Sequence, residues 1–180
     1  MRDEDISAAL KRETLDYVVA KTLDFHRRGI EVEILTTDNH ADGIYLYHHI
    51  LANQPERAGE VVRLLQMHGG CSAGTKFANV DPQGNVHPCQ FWQDYTIGNI
   101  RETPFSALWT SDDPLMVRLR EKSQHVGGKC GTCGYKELCG GCRIRARAVH
   151  GDIWAEDPAC YLYSGELSEE RGEFSQPWQP

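Results

Sequence analysis

Seven cysteines punctuate a 180-residue chain, all of them after residue 70. Cys71 and Cys89 form one group, Cys130, Cys133, Cys139 and Cys142 a second, and Cys160 follows after a gap. The second group reads C-x2-C-x5-C-x2-C, too dense in thiols and small residues for ordinary core. Thiolates are soft ligands that select iron–sulfur clusters, zinc or copper(I), and a C-x2-C loop lets two sulfurs of one turn reach a single centre. Gly131, Gly134, Gly140 and Gly141 lie among these cysteines. Glycine permits positive φ and brings amide N–H groups close to sulfur, which stabilises an anionic centre. Arg143, Arg145 and Arg147 follow at once and can offset its charge.

The number of thiols bears on the kind of site. A zinc site takes roughly four such ligands and a pair of cluster sites up to about eight. Seven suggests one complete site and one with three cysteines. Three chemistries stay open on the residues alone: iron–sulfur binding, a structural zinc module, and a standalone ferredoxin-like electron carrier. A disulfide framework fits less well, because the number is odd and no secretory signal opens the chain, so the cytoplasm is the expected compartment. The net charge of −7 argues against a basic nucleic-acid face, and no apolar run reaches the length of a membrane span.

The run Cys71-x12-Gly84-x4-Cys89, the four-cysteine loop and Cys160 together resemble the SPASM domain, an auxiliary iron–sulfur module at the C-terminus of many radical S-adenosylmethionine (SAM) enzymes. The segments Asn85–Trp92, Gly98–Arg101, Cys139–Arg143 and Ala155–Cys160 resemble the branch acting on iron tetrapyrroles, of the didecarboxysiroheme deacetylase and haem d1 biosynthesis kind. The resemblance covers roughly residues 71 to 162. It implies that Cys130, Cys133, Cys139 and Cys160 hold one auxiliary [4Fe-4S] cluster and Cys71, Cys89 and Cys142 the other. Two residues separate Cys139 from Cys142, where the family usually has three. The three-cysteine site then has an open iron, takes an extra ligand such as His87 or Asp81, or is empty. The implied reaction of a whole enzyme is radical removal of carboxylate-bearing side chains from an iron tetrapyrrole.

No C-x3-C-x2-C occurs, so this polypeptide is not expected to cleave SAM alone, and SAM belongs only to a full-length or assembled enzyme. Met1 is then an internal methionine, the start of a truncated gene, or the start of a split subunit that joins a separate radical SAM core chain.

Three segments follow: 1–70 as a remnant of the SAM barrel, 71–162 as the cysteine module, and 163–180 as a mobile tail rich in Glu, Ser, Gln and Pro. In the first, Ala9, Leu10, Leu15, Val18, Val19, Leu23 and Phe25 recur at helical spacing before Gly29. Ile30–Thr36 alternates as a strand, and helical patterns resume over 41–51 and 55–67. Helix, strand, helix is what the last unit of a partial (β/α) barrel would leave. In such barrels the loop after a strand faces substrate, which makes Asp38, Asn39 and His40 candidate substrate contacts, capping being the plainer role.

In the module, Phe77–Val80 and Asn85–His87 flank Asp81-Pro82-Gln83-Gly84 and predict a hairpin, followed by short helices over Phe105–Trp109 and Asp113–Lys122. Trp92 and Trp109 read as core. Arg143 and Arg147, four apart on one helical face, either bind acidic tetrapyrrole side groups or compensate cluster charge. His26, His40 and His68 have no spacing that supports iron ligation, and His48 and His49 point to different helix faces. The predicted class is α+β, a barrel remnant followed by a β-hairpin with short helices.

Overall fold

The computed structural model describes residues 6–168. Helix α1 (Ala8–Arg27) starts where the Ser7 hydroxyl accepts the Leu10 N–H at 3.1 Å, and it ends against Gly29 at φ 69°. Helix α2 (Ala41–Asn53) buries Ala41, Ile44, Tyr45, Tyr47 and Ile50. A 3₁₀ turn, Pro55–Arg57, leads into α3 (Ala58–His68). These match the helical periodicity except that Pro55 opens a separate 3₁₀ turn ahead of α3.

Residues 30–37 form no strand: nothing among the described residues pairs with them, and Ile30, Val32, Ile34 and Leu35 are exposed. The expected strand is thereby corrected. Alternation selects the extended conformation, but a ladder needs a neighbour's N–H and C=O groups.

The hairpin forms. Strands β1 (Asn79–Val80) and β2 (Asn85–His87) pair antiparallel with Val80 opposite Val86. Gly84 at φ 92° makes the turn, and a Cβ there would sit 2.9 Å from Asn99 Oδ1. A third strand, β3 (Gly98–Asn99), joins the other edge of β2 to give the order β1-β2-β3. Five short helices follow: α4 (Phe105–Trp109), α5 (Pro114–Arg120), α6 (Lys122–His125), α7 (Gly128–Thr132) and α8 (Arg143–His150). The Asp113 carboxylate caps α5 by accepting the N–H groups of Leu115 and Met116 at 3.0 Å each. The helix expected to run to Lys122 breaks after Arg120. Helices with one small antiparallel sheet are compatible with an α+β class.

Two apolar clusters hold this together. Trp92, Met116 and Leu119 form one, with Trp109 packed against it, so both tryptophans are core. The larger cluster combines Leu15, α2 and α3 with Cys133, Tyr135, Leu138, Tyr161 and Leu162. Each such buried side chain contributes about 1.5–3 kcal/mol. The first seventy residues and the cysteine module therefore share a core. No helix among the described residues is long and apolar enough to cross a membrane.

The start of the expected mobile tail is docked. Ser164–Glu166 forms a 3₁₀ turn, and Glu166 accepts both Arg12 guanidinium N–H groups at 2.8 Å. Residues 169–180, the rest of that expectation, lie outside the described residues.

Candidate metal centres

All seven thiols are free, and the fold divides them between two hollows. Cys130, Cys133, Cys139 and Cys160 line the first, walled by Ala41, Ile44 and Leu162. It is a tight cavity, narrower than the second. Cys71, Cys89 and Cys142 line the second together with Asp38, His40 and Arg145. It is wider and more open.

The sulfurs of the first hollow face backbone donors and a buried cation. Asp157 N–H donates to Cys130 Sγ at 3.3 Å, and a guanidinium nitrogen of Arg143 stands 3.9 Å from the same sulfur. The Tyr135 N–H donates to Cys133 and the Gly141 N–H to Cys139. Burial pushes the thiols of Cys130, Cys133 and Cys139 up, most of all Cys139. Such thiols ionise when a cation arrives to replace the lost solvation. Gly141 is required by the packing: at φ 57°, a Cβ there would sit 2.7 Å from Asp157 Cβ, 2.8 Å from Arg143 Nη2 and 3.1 Å from Cys130 Sγ.

Asp157 ties the hollows to each other. Its buried carboxylate accepts the N–H of Cys142 at 2.7 Å, that of Ala159 at 3.0 Å, and a paired contact from Arg145 at 3.0 and 2.9 Å. Burial opposes its ionisation, yet Arg145 and the two amides hold its carboxyl below the ordinary aspartate value. Arg145 also donates to the Asp38 carbonyl. Asp38 is the one non-glycine residue at positive φ among the described residues, at 64°.

That bend presents His40 to the second hollow. Asn39 Oδ1 accepts the Ala41 N–H at 3.3 Å at the start of α2, and His40 faces Cys71 and Cys142 across the hollow. Burial lowers the His40 pKa, but the two thiols outweigh it and raise it to about 9. At Cys71 burial again opposes ionisation, while His40 and Lys122 bring the thiol down to about 7. Burial raises Cys89.

Several sequence candidates stand elsewhere. His87 is buried with Nδ1 on the Tyr95 carbonyl at 2.7 Å and Nε2 on Asp81 at 3.3 Å, so both ring nitrogens are engaged away from the cysteines. Asp81 accepts from Asn85 and faces His87. Arg143 is fully buried and donates to the carbonyls of Ile153 and Ala155 at 2.8 and 2.7 Å, which removes it from any substrate surface. Arg147 pairs with Asp94 over the Trp92 ring. Asn39 caps. His40 was legible only as a loop residue, because no local spacing links it to cysteines so distant in sequence.

Among the described residues, no group of three or more His, Cys, Asp or Glu side chains closes on a single metal ion. Zinc thiolates lie about 2.3 Å from the metal. Four thiols set around a hollow, with amide donors and Arg143 aimed at sulfur, fit instead a polynuclear anionic group.

Comparison with known proteins agrees. Residues 71–134 match the SPASM family, an iron-sulfur cluster-binding domain. The chain is 42% identical over 172 residues to Fe-coproporphyrin III synthase of Methanosarcina barkeri, covering 93% of this chain and 43% of that protein. It is 43% identical over 170 residues to pre-heme d1 synthase of Dinoroseobacter shibae, covering 92% and 42%. An AdoMet-dependent heme synthase of Methanosarcina barkeri is 36% identical over 126 residues, covering 67% and 35%. The chain thus spans less than half the length of these relatives. No solved structure matches.

Proposed function

The chain carries a SPASM iron–sulfur cluster-binding domain of the haem-biosynthesis branch, and on that premise we propose that it is the cluster-bearing part of a radical SAM enzyme acting on an iron tetrapyrrole. One observation carries the reading: the fold sorts seven free thiols into a closed set of four and an open set of three. In this reading Cys130, Cys133, Cys139 and Cys160 hold one [4Fe-4S] cluster, and Cys71, Cys89 and Cys142 hold a second. Such clusters supply one-electron transfer, with potentials set by hydrogen bonds to sulfur and by exposure. The residues of this chain set those terms: the Asp157, Tyr135 and Gly141 amides and the Arg143 charge stabilise sulfur in the dry hollow, and His40 and Lys122 do so at Cys71.

The names of the relatives support a tetrapyrrole substrate, with the clusters exchanging an electron with it or positioning it. Radical generation from SAM belongs to a core outside this sequence, in a longer chain or a separate polypeptide. Residues 30–36 with α2 are then the edge of that barrel: an alternating segment with no ladder partner among the described residues is what remains when a strand's neighbours are elsewhere. Seven free thiols suit a reducing compartment, the cytoplasm.

The test is anaerobic expression followed by iron, acid-labile sulfide and zinc analysis with visible absorption. About eight irons and eight sulfides per chain are expected. About four would leave one hollow without a cluster, and zinc in a colourless protein would overturn the redox reading.

A further inference from the structure

Resting on the iron–sulfur reading, we propose that His40 is the fourth ligand of the cluster held by Cys71, Cys89 and Cys142, closing with a ring nitrogen the position that cysteine leaves open. A four-iron cluster held by three thiolates has one iron without a protein ligand. The residue that fills it must share the hollow, carry a lone pair and be held facing the sulfurs.

His40 meets each condition. It lines the same hollow as the three thiols, Cys71, Cys89 and Cys142. It sits at the entrance to α2, where the Asn39 side chain fixes the first helical turn and Arg145 holds the Asp38 carbonyl through a left-handed bend. A strained conformation at a non-glycine residue persists only where its surroundings impose it. Here that conformation delivers the imidazole to the cysteines. On coordination the ring nitrogen that faces sulfur gives its proton to solvent and donates the freed lone pair to iron, as metal binding to thiol and imidazole sites generally releases protons.

Two other candidate ligands are committed elsewhere. The Asp157 carboxylate is taken by Arg145 and two amides. Both ring nitrogens of His87 are engaged by Tyr95 and Asp81. Asp38 lines the hollow, but it is an exposed residue and no hydrogen bond joins it to a thiol among the described residues. An imidazole in place of a thiolate removes negative charge from the cluster and raises its reduction potential, which would set the two clusters of one chain apart.

Pulsed electron paramagnetic resonance on the full chain, reconstituted anaerobically and reduced with dithionite, tests this. The expected result is a strong coupling from directly bound nitrogen that shifts with isotopically labelled histidine and vanishes in His40→Ala. His40→Cys should keep about eight irons and the wild-type circular dichroism while losing the nitrogen signal, which guards against a variant that simply misfolds. Asp38→Asn should keep the signal. A full iron content with no bound-nitrogen coupling, or a coupling unchanged in His40→Ala, overturns the proposal and leaves the iron–sulfur reading intact. The weak coupling of a ring that only hydrogen-bonds sulfur also overturns it. About four irons, with the Cys71 hollow lacking a cluster, does the same. A colourless zinc protein overturns both.

Discussion

At the scale of single residues, glycines separate two kinds of constraint. Gly151 ends α8 at φ 72° with nothing within 4 Å of where a Cβ would stand. Gly141 combines φ 57° with three close contacts at the first hollow. Gly151→Ala should therefore cost only the left-handed conformational strain, about 1–2 kcal/mol. Gly141→Ala adds overpacking, for a total of about 2–5 kcal/mol, and should lower bound iron by displacing Cys130 or Asp157. Chemical denaturation with iron analysis of both variants checks this. Equal costs and equal iron would mean that the hollow tolerates the methyl group. The sequence placed Gly141 among thiols; what it had to avoid became visible only once Asp157 and Arg143 were packed against it.

At the scale of elements, α1 depends on polar contacts with the rest. Of its residues only Leu15 is buried, so hydrophobic contact alone holds it weakly. Arg12 reaches Glu166 through two 2.8 Å bonds, and Tyr45 donates to Asp16 at 2.5 Å. Burial opposes ionisation of Glu166, but Arg12 and the Tyr163 N–H win and lower its pKa. A carboxyl lowered in the folded state contributes stability above its unfolded value near 4.3, and that stability is lost as the pH falls through the folded value. Stability should then drop on acidification below about pH 4.5, and Glu166→Gln should remove that part of the slope. Both groups are about one-fifth exposed, so Glu166→Gln should cost about 1–2 kcal/mol at neutral pH. Denaturation midpoints of both proteins from pH 7 down to about pH 2.5 measure this, and coincident curves would show that the bond contributes nothing.

At the scale of the whole molecule, the two thiol hollows and the larger core belong to one structure. Ile44, on α2 and 1% exposed, is both a core residue and part of the wall around Cys130, Cys133, Cys139 and Cys160. Unfolding followed by far-ultraviolet circular dichroism, dominated by α1 to α3, should coincide with unfolding followed by tryptophan fluorescence, since every tryptophan lies after residue 71. Ile44→Ala should move both midpoints together, by about 2–5 kcal/mol. Two separated transitions would show that the first seventy residues fold independently of the module.

The sequence alone named the kind of ligand, thiolate, and pointed to the family. Seven cysteines, their spacing and the glycines among them did so because ligand type and short loops are local properties. It also determined the long helices and the hairpin, whose periodicity and turn residues act over a few positions. Tertiary structure decided the rest. It brought His40 to Cys71 and Cys142, sealed Arg143 inside, turned His87 toward Tyr95 and Asp81, added β3, and left residues 30–37 without a strand. Each of these depends on what stands opposite a residue across the fold. Neither a side chain's partners nor a strand's neighbour is written in the spacing of the segment that carries it.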